Sequence, residues 1–113
     1  MSSIIVDIIR PDEKEIVQAS RFSSATLHEA SGKRGAMPSG IKPLSPEMKI
    51  CGTAVTVHSP PGDNIMLHEA IIAAKPGDIL VVSVSGEFEA GYWGDIMTKA
   101  AKERGIQGLL IDG

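Results

Sequence analysis

The feature that most constrains the fold is an alternation of strand-like and helix-like segments from residue 49 to residue 113. The runs "KICGTAVTVHS", "ILVVSVS" and "QGLLIDG" are rich in β-branched and aliphatic residues, and "NIMLHEAIIAA" and "DIMTKAAKER" separate them. Gly105 follows the second helical segment, where a glycine that ends a helix is expected. A strand-helix-strand-helix-strand order predicts a parallel sheet with right-handed crossovers.

The first 48 residues predict shorter elements. Residues 3–9, "SIIVDII", indicate a short strand or extended arm, and Pro11 followed by acidic residues predicts a helix over 11–20. A second short helix is predicted in "SSATLHEAS", capped by Ser or Thr, with capping-box spacing between Thr26 and Glu29. Three Gly and three Pro predict a loop over 31–46. We therefore expect one domain over 1–113, with a helical and loop lead-in (1–48) and a βαβαβ core (49–113).

Charge and cysteine content narrow the functional classes. The net charge is −3 and the Lys and Arg residues are dispersed, whereas nucleic-acid binders concentrate basic charge on one face. The single cysteine, Cys51, excludes an intrachain disulfide and fits a reducing compartment. The first apolar run is broken by Asp7 and is too short for a signal peptide or a membrane span. We expect a cytoplasmic protein that binds neither nucleic acid nor membrane.

Candidate functional residues lie where the predicted strands lead into helices. Ligands of parallel α/β sheets collect at the carboxyl ends of the strands, and the turns there are "SPPGDN" and "GYWGD". A helix N-terminus suits an anion, and Gly94 would let one approach the backbone closely. Asp95 would repel that anion unless a cation lay between them, for which Mg²⁺ or Mn²⁺ is suited.

Each acidic residue in these turns also has a structural interpretation. Asp is among the commonest residues at helix starts, so Asp95, Asp63 and Asn64 could serve as caps. Asp78, in "KPGD", is interpreted as part of a plain turn.

The blocks "GTAVTVHSPPGDNIMLHEAIIAAKPGDILVV", "GYWGD" and "GLLIDG", together with the upstream "ATLHEASGKRGAM" and "IKPL", resemble the RraA-like family. They are most similar to its divalent-metal aldolases, which cleave 4-hydroxy-4-methyl-2-oxoglutarate and 4-carboxy-4-hydroxy-2-oxoadipate. The resemblance implies a layered α/β domain of the swivelling β/β/α type with a central mixed sheet. It also implies assembly as homotrimers or homohexamers.

The signature of that family is an Asp, twenty residues and then an Arg-Asp pair. Asp95 matches the first Asp, and 18 residues follow it before the chain ends at Gly113. The resemblance implies that the Arg binds the keto acid and that the second Asp ligates the metal. We therefore expect this chain to be an N-terminal portion of a larger enzyme, truncated at its C-terminus, and nearly inactive alone.

The resemblance also implies roles for particular residues. Asp95 would be the catalytic residue, holding a metal-bound water and moving a proton at the pyruvyl methyl carbon. Gly94, Asp95, the Ile96 N–H and Asn64 would bind the keto-acid substrate. By helical spacing, His68 lies one turn beyond Asn64 and could either face the same pocket as a substrate-binding residue or be a packed or half-exposed histidine. The implied reaction is a retro-aldol cleavage to pyruvate, helped by Mg²⁺ or Mn²⁺, with oxaloacetate decarboxylation as a side activity.

Weaker candidates and other functions remain open. Lys33 and Arg34 could meet distal carboxylates of a substrate but fit a solvated loop, and Tyr92 and Trp93 are expected to wall the pocket or pack at a subunit contact. Another branch of the family is similar to inhibitors of an RNA-processing endonuclease that have lost the catalytic acids. A methyltransferase is not supported, because the turn after the first core strand has no G-x-G-type cofactor loop.

Overall fold

The computed structural model describes residues 8–113. The strand or arm expected over 3–9 lies outside this range except for Ile8 and Ile9, which have no regular structure. Among the described residues, no helix is long and apolar enough to cross a membrane. Seven elements are present: α1 (Glu13–Ala19), α2 (Ser24–Ala30), β1 (Ala54–His58), α3 (Ile65–Ala73), β2 (Ile79–Ser83), α4 (Asp95–Glu103) and β3 (Gly108–Ile111).

The alternation from residue 49 onward is confirmed, although the strands are shorter than expected. The three strands form one parallel sheet in the order β1-β2-β3. Because both crossovers step in the same direction across the sheet, right-handed connections place α3 and α4 on the same face. All strand pairs in residues 8–113 are parallel, so the antiparallel strands of the expected mixed sheet are absent from this part.

The hydrophobic core lies between this face and the two helices. Val55, Val57, Leu80 and Val82 point into it, and Leu80 is fully buried. The helices contribute apolar side chains at helical spacing: Leu67, Ala70 and Ile71 from α3, and Met97 and Ala101 from α4. The opposite face of the sheet is only partly covered within the described residues, since Thr56 is exposed and Leu110 is half-buried.

The two helices of the lead-in form where expected, but one detail of the capping is wrong. Asp12 caps α1 by accepting a hydrogen bond from the Lys14 N–H at 3.2 Å. Ser23, not Thr26, caps α2, since its Oγ accepts the Thr26 N–H at 3.2 Å. Thr26 is thus the third helical residue and Glu29 lies too far along the helix for a capping box. No residue of α1 or α2 is buried, so these helices add little to the core.

Candidate functional site

The carboxyl ends of β1 and β2 bring the two predicted turns together. The buried side chain of Tyr92, only 3% exposed, connects them. Its hydroxyl accepts a hydrogen bond from the Gly62 N–H at 2.9 Å and donates one to the Glu87 carbonyl at 2.6 Å. The turn after β1 and the loop after β2 therefore form one continuous edge, as the topology predicts.

The first turn of α4 opens onto this edge. Gly94 is the N-cap residue of α4, and no side chain caps the helix. Asp95 is therefore the first residue of the helix, and its side chain makes no capping hydrogen bond among the described residues. A Cβ built on Gly94 would have no atom within 4 Å, so the space above it is open. The Asp95 side chain is exposed, and Ile96 is 86% exposed.

The first N–H groups of α4 can bind an anion. The first N–H groups of any helix have no acceptor in the preceding turn, and no acceptor for the Ile96 N–H is found among residues 8–113. The helix dipole adds positive partial charge at the same place. Beside these donors, Asp95 adds a carboxylate that makes no hydrogen bond within the described part of the chain. The turn therefore offers a donor set and an acid next to each other.

Asn64 lies next to the first turn of α4, as its predicted role requires. Its amide Nδ2 donates to the Tyr92 carbonyl at 3.3 Å and lies 3.9 Å from the Met97 sulfur. Tyr92 and Met97 lie on either side of Gly94 and Asp95 in the sequence. Asn64 is the N-cap residue of α3, but its side chain makes no capping hydrogen bond. The side-chain hydrogen bond at the start of α3 comes from Asp63, one residue earlier, whose Oδ1 accepts the Ile65 N–H at 2.9 Å.

The structure does not join His68 to this group. The His68 side chain is exposed on α3 and forms no hydrogen bond with any described residue. It lies on the outer side of the helix with Ile65 and Ile72, which are also exposed. Its place in the substrate pocket stays a prediction.

The residues present do not form a metal site by themselves. In the part of the chain that the structure describes, no three His, Cys, Asp or Glu side chains lie close enough together to hold a metal ion. Asp95 supplies one carboxylate, whereas Mg²⁺ and Mn²⁺ take several oxygen ligands. Any divalent cation at this position would need further ligands from elsewhere.

The sequence analysis missed a second polar contact at this edge. Ser85 has a positive φ of 60°, and its Oγ lies 3.1 Å from His58 Nε2 and 2.7 Å from the Ser59 carbonyl. A serine beside a histidine can indicate a nucleophile and its base. Here the single hydroxyl proton points to the carbonyl, so His58 Nε2 must donate instead. The hydrogen bond between His58 and Ser85 therefore connects the end of β1 with the residues that follow β2.

Two other predicted positions lie away from this edge. Asp78, only 2% exposed, receives two hydrogen bonds from Arg10 and one from the Lys75 N–H. Burial by itself would raise the pKa of Asp78, but these hydrogen bonds outweigh it and hold the pKa below its ordinary value. Cys51 is half-buried, and its Sγ lies 3.6 Å from the Ile16 carbonyl. Asp78 therefore has a structural role, as predicted, but through a buried ion pair as well as through its turn.

Comparison with known proteins identifies the relatives of this fold. Over 77 residues, 36% are identical to a Halalkalibacterium halodurans protein named "Putative 4-hydroxy-4-methyl-2-oxoglutarate aldolase"; the match covers 68% of this chain and 37% of that protein. An uncharacterized protein from Pseudomonas syringae pv. tomato superposes with a TM-score of 0.78 at 29% identity, over all of this chain and 53% of that one. Streptomyces coelicolor RraAS2, described as an unusual member of the RNase ES inhibitor RraA protein family, superposes with a TM-score of 0.75 at 32% identity.

The length of these relatives matters for function. The superposition on RraAS2 covers 92% of this chain but 56% of that structure, so the chain spans about half, or less, of the proteins it matches. The family model described as "Aldolase/RraA" matches residues 5–113, which is nearly the whole chain. With the parallel βαβαβ core and the open first turn of α4, this match shows that the chain belongs to the RraA-like family.

Proposed function

We propose that this chain carries the keto-acid-binding part of an aldolase that cleaves 4-hydroxy-4-methyl-2-oxoglutarate or a related 4-hydroxy-2-oxo acid to pyruvate. The observation that carries the proposal is the first turn of α4. There the Ile96 N–H, which has no acceptor among residues 8–113, and the Asp95 carboxylate, which makes no capping hydrogen bond, lie at the same open edge. The family and the name of the Halalkalibacterium relative favour this chemistry over other anion-binding functions.

The substrate suits this turn because its 2-oxo acid end carries a carboxylate. The N–H groups of Ile96 and its neighbours would bind that carboxylate, aided by the helix dipole. Gly94 leaves the approach open, since no side chain projects there. Asn64, held beside the turn by the Tyr92 carbonyl, would line the same space with its amide.

The reaction breaks the bond between C3 and C4 of the substrate. The C4 hydroxyl loses its proton and becomes the carbonyl of one product, while C3 keeps the electron pair as part of an enolate. A proton delivered to C3 then gives pyruvate, and with 4-hydroxy-4-methyl-2-oxoglutarate both products are pyruvate. Asp95 would move this proton, since it is the acid in the first turn of α4, where the keto acid would bind. Mg²⁺ or Mn²⁺ is part of the proposal, with ligands additional to Asp95.

The test has a binding arm and a turnover arm. In ¹⁵N-labelled 113-residue chain, pyruvate or oxalate should shift the amide signals of Ile96 and Met97 but not those of the exposed helix α1. The product of the intact gene should release pyruvate from 4-hydroxy-4-methyl-2-oxoglutarate. If α1 and α4 respond alike to the acid, the binding is nonspecific and the proposed site is wrong.

The alternative is a non-catalytic inhibitor of an RNA-processing endonuclease. The observation that favours it is the superposition on RraAS2, a member of the RNase ES inhibitor RraA protein family. The two functions make different demands on Asp95, because the aldolase would need its carboxylate to move a proton, whereas an inhibitor needs no catalytic acid. Asp95→Asn should abolish pyruvate release, and an effect of this protein on endonuclease activity that survives the substitution would favour the inhibitor.

A further inference from the structure

Tyr92 occupies an unusual position for a residue expected to wall a pocket. Its ring is part of the hydrophobic core, yet its hydroxyl and its carbonyl both bond to groups from other parts of the carboxyl edge. The hydroxyl joins the Gly62 N–H to the Glu87 carbonyl, and the carbonyl accepts from Asn64 Nδ2. Two of these hydrogen bonds, from the Gly62 N–H and from Asn64 Nδ2, connect the turn after β1 with the loop that leads into α4, and the third, to the Glu87 carbonyl, lies within that loop.

The position of these bonds along the chain gives them their effect. Gly62 has a φ of +73° and lies 30 residues before Tyr92, whereas Gly94 lies only two residues after it. No side chain caps α4, and a Cβ built on Gly94 would meet no atom within 4 Å. The contacts of Tyr92 and of its neighbour Trp93, whose Nε1 donates to Thr98 Oγ1 at 2.8 Å, therefore act together with the burial of Met97 to fix where α4 begins.

We propose that Tyr92 is a positioning residue that holds the Gly62–Asn64 turn and the first turn of α4 at a fixed separation. It does not touch the keto acid, because its side chain is almost fully buried. It acts through Asn64 and through the N–H groups at the start of α4. The role in ligand binding rests on the proposed function, whereas the linkage of the two turns does not.

The substitution Tyr92→Phe isolates this role, since the ring stays and only the hydroxyl is lost. The matched control is Ser85→Ala, which removes a hydroxyl at the same edge whose partners are the Ser59 carbonyl and His58, away from α4. Both variants lose hydrogen bonds that join segments distant in the chain, so a general loss of stability should appear in both. Only Tyr92→Phe should alter the start of α4.

The first readout needs no ligand. In Tyr92→Phe, the Gly62 amide should exchange with solvent at least about tenfold faster, because its acceptor is gone. The amide signals of residues 94–97 should shift as well. In Ser85→Ala, these signals should shift no more than the amide signals of the other helices do. If Tyr92→Phe leaves the residue 94–97 signals unchanged, the proposal is overturned, whatever the chain binds.

The second readout uses oxalate, an analogue of the pyruvate enolate, titrated into each folded chain. Its dissociation constant should rise about tenfold in Tyr92→Phe and change less than twofold in Ser85→Ala. If the unsubstituted chain does not bind oxalate, the proposed function fails, but the exchange experiment still decides the role of Tyr92. An equal loss of affinity in both variants would mean that general stability, not position, is responsible.

Discussion

Arg10 Nε and Nη2 donate hydrogen bonds of 2.9 and 2.5 Å to the two carboxylate oxygens of Asp78, 68 residues further along the chain. This pair fastens the segment before α1 to the turn between α3 and β2. The Asp78 carbonyl also accepts the Gln107 N–H at 2.8 Å, next to the start of β3. Asp78 therefore connects three segments at the edge of the sheet where the strands begin, opposite the edge that carries the candidate site.

We expect this carboxylate to make the protein sensitive to acid. Because the pKa of Asp78 is lower in the folded state than in the unfolded chain, its contribution is complete above the unfolded value, about 3.9. It is lost as the pH falls below that value through the folded pKa. Asp78→Asn should cost about 2–4 kcal/mol of unfolding free energy at pH 7, since the buried donors lose a charged acceptor.

Urea unfolding at pH 7 and pH 3 measures this linkage. The difference between the unsubstituted chain and Asp78→Asn should shrink at pH 3, because that pH lies below the pKa of Asp78 in the unfolded chain, which then takes up a proton more readily than the folded one. Glu103→Gln, which removes an exposed carboxylate, is the control and should change little at either pH. A difference that is the same at both pH values would show that the ion pair does not set the acid sensitivity.

Gly94→Ala should impair binding without impairing folding. The added Cβ meets no atom within 4 Å, and the φ of −147° is open to any residue. The methyl group would instead occupy the space through which a carboxylate approaches the Ile96 N–H. We expect the melting temperature to stay within about 2 °C and oxalate affinity to fall about tenfold.

Gly91→Ala is the matched control, because its Cβ also meets nothing within 4 Å but lies before Tyr92. It should leave oxalate affinity unchanged. Equal effects of the two substitutions on affinity would argue against a ligand above Gly94.

The two faces of the sheet should respond differently to the loss of a leucine. Leu80 is fully buried between the sheet and the helices, so Leu80→Ala should cost about 2–5 kcal/mol. Leu110 is half-buried on the other face, so Leu110→Ala should cost less than half as much. Chemical denaturation of both variants tests this difference. A cost for Leu110→Ala as large as that for Leu80→Ala would mean that another layer covers this face in solution.

The core was predictable from sequence because its elements obey local rules. The helix α4 starts after Gly94 and ends before Gly105, whose φ is +75°, and its buried residues recur at helical spacing. The parallel sheet follows from the order of the elements alone. Local patterns of this kind carry most of the information about which elements form.

The long-range contacts could not be predicted in the same way. Nothing in the sequence pairs Arg10 with Asp78 or Tyr92 with Gly62, because hydrogen bonds between distant segments follow from the packing of the whole domain. The choice between Ser23 and Thr26 as the cap of α2 also depends on backbone geometry, since either residue type can serve. At the candidate site, the open turn of α4 was foreseen, whereas the role of Tyr92 was not.

The proposed divalent cation should bind only weakly at Asp95 and yet be required for turnover. With Asp95 as its one carboxylate at the first turn of α4, the chain should bind Mn²⁺ only weakly, with a dissociation constant on the order of millimolar. If the proposed aldolase is correct, pyruvate release by the intact gene product should stop in chelator and return with Mg²⁺ or Mn²⁺. Asp95→Asn should lower turnover at least about a hundredfold while changing stability by less than about 1 kcal/mol, because Asp95 caps nothing. Calorimetry with Mn²⁺, a pyruvate assay and thermal unfolding measure the three effects, with Glu103→Gln as the control. Full turnover in chelator would exclude the metal, whereas normal turnover by Asp95→Asn would remove the acid at the first turn of α4 from the mechanism.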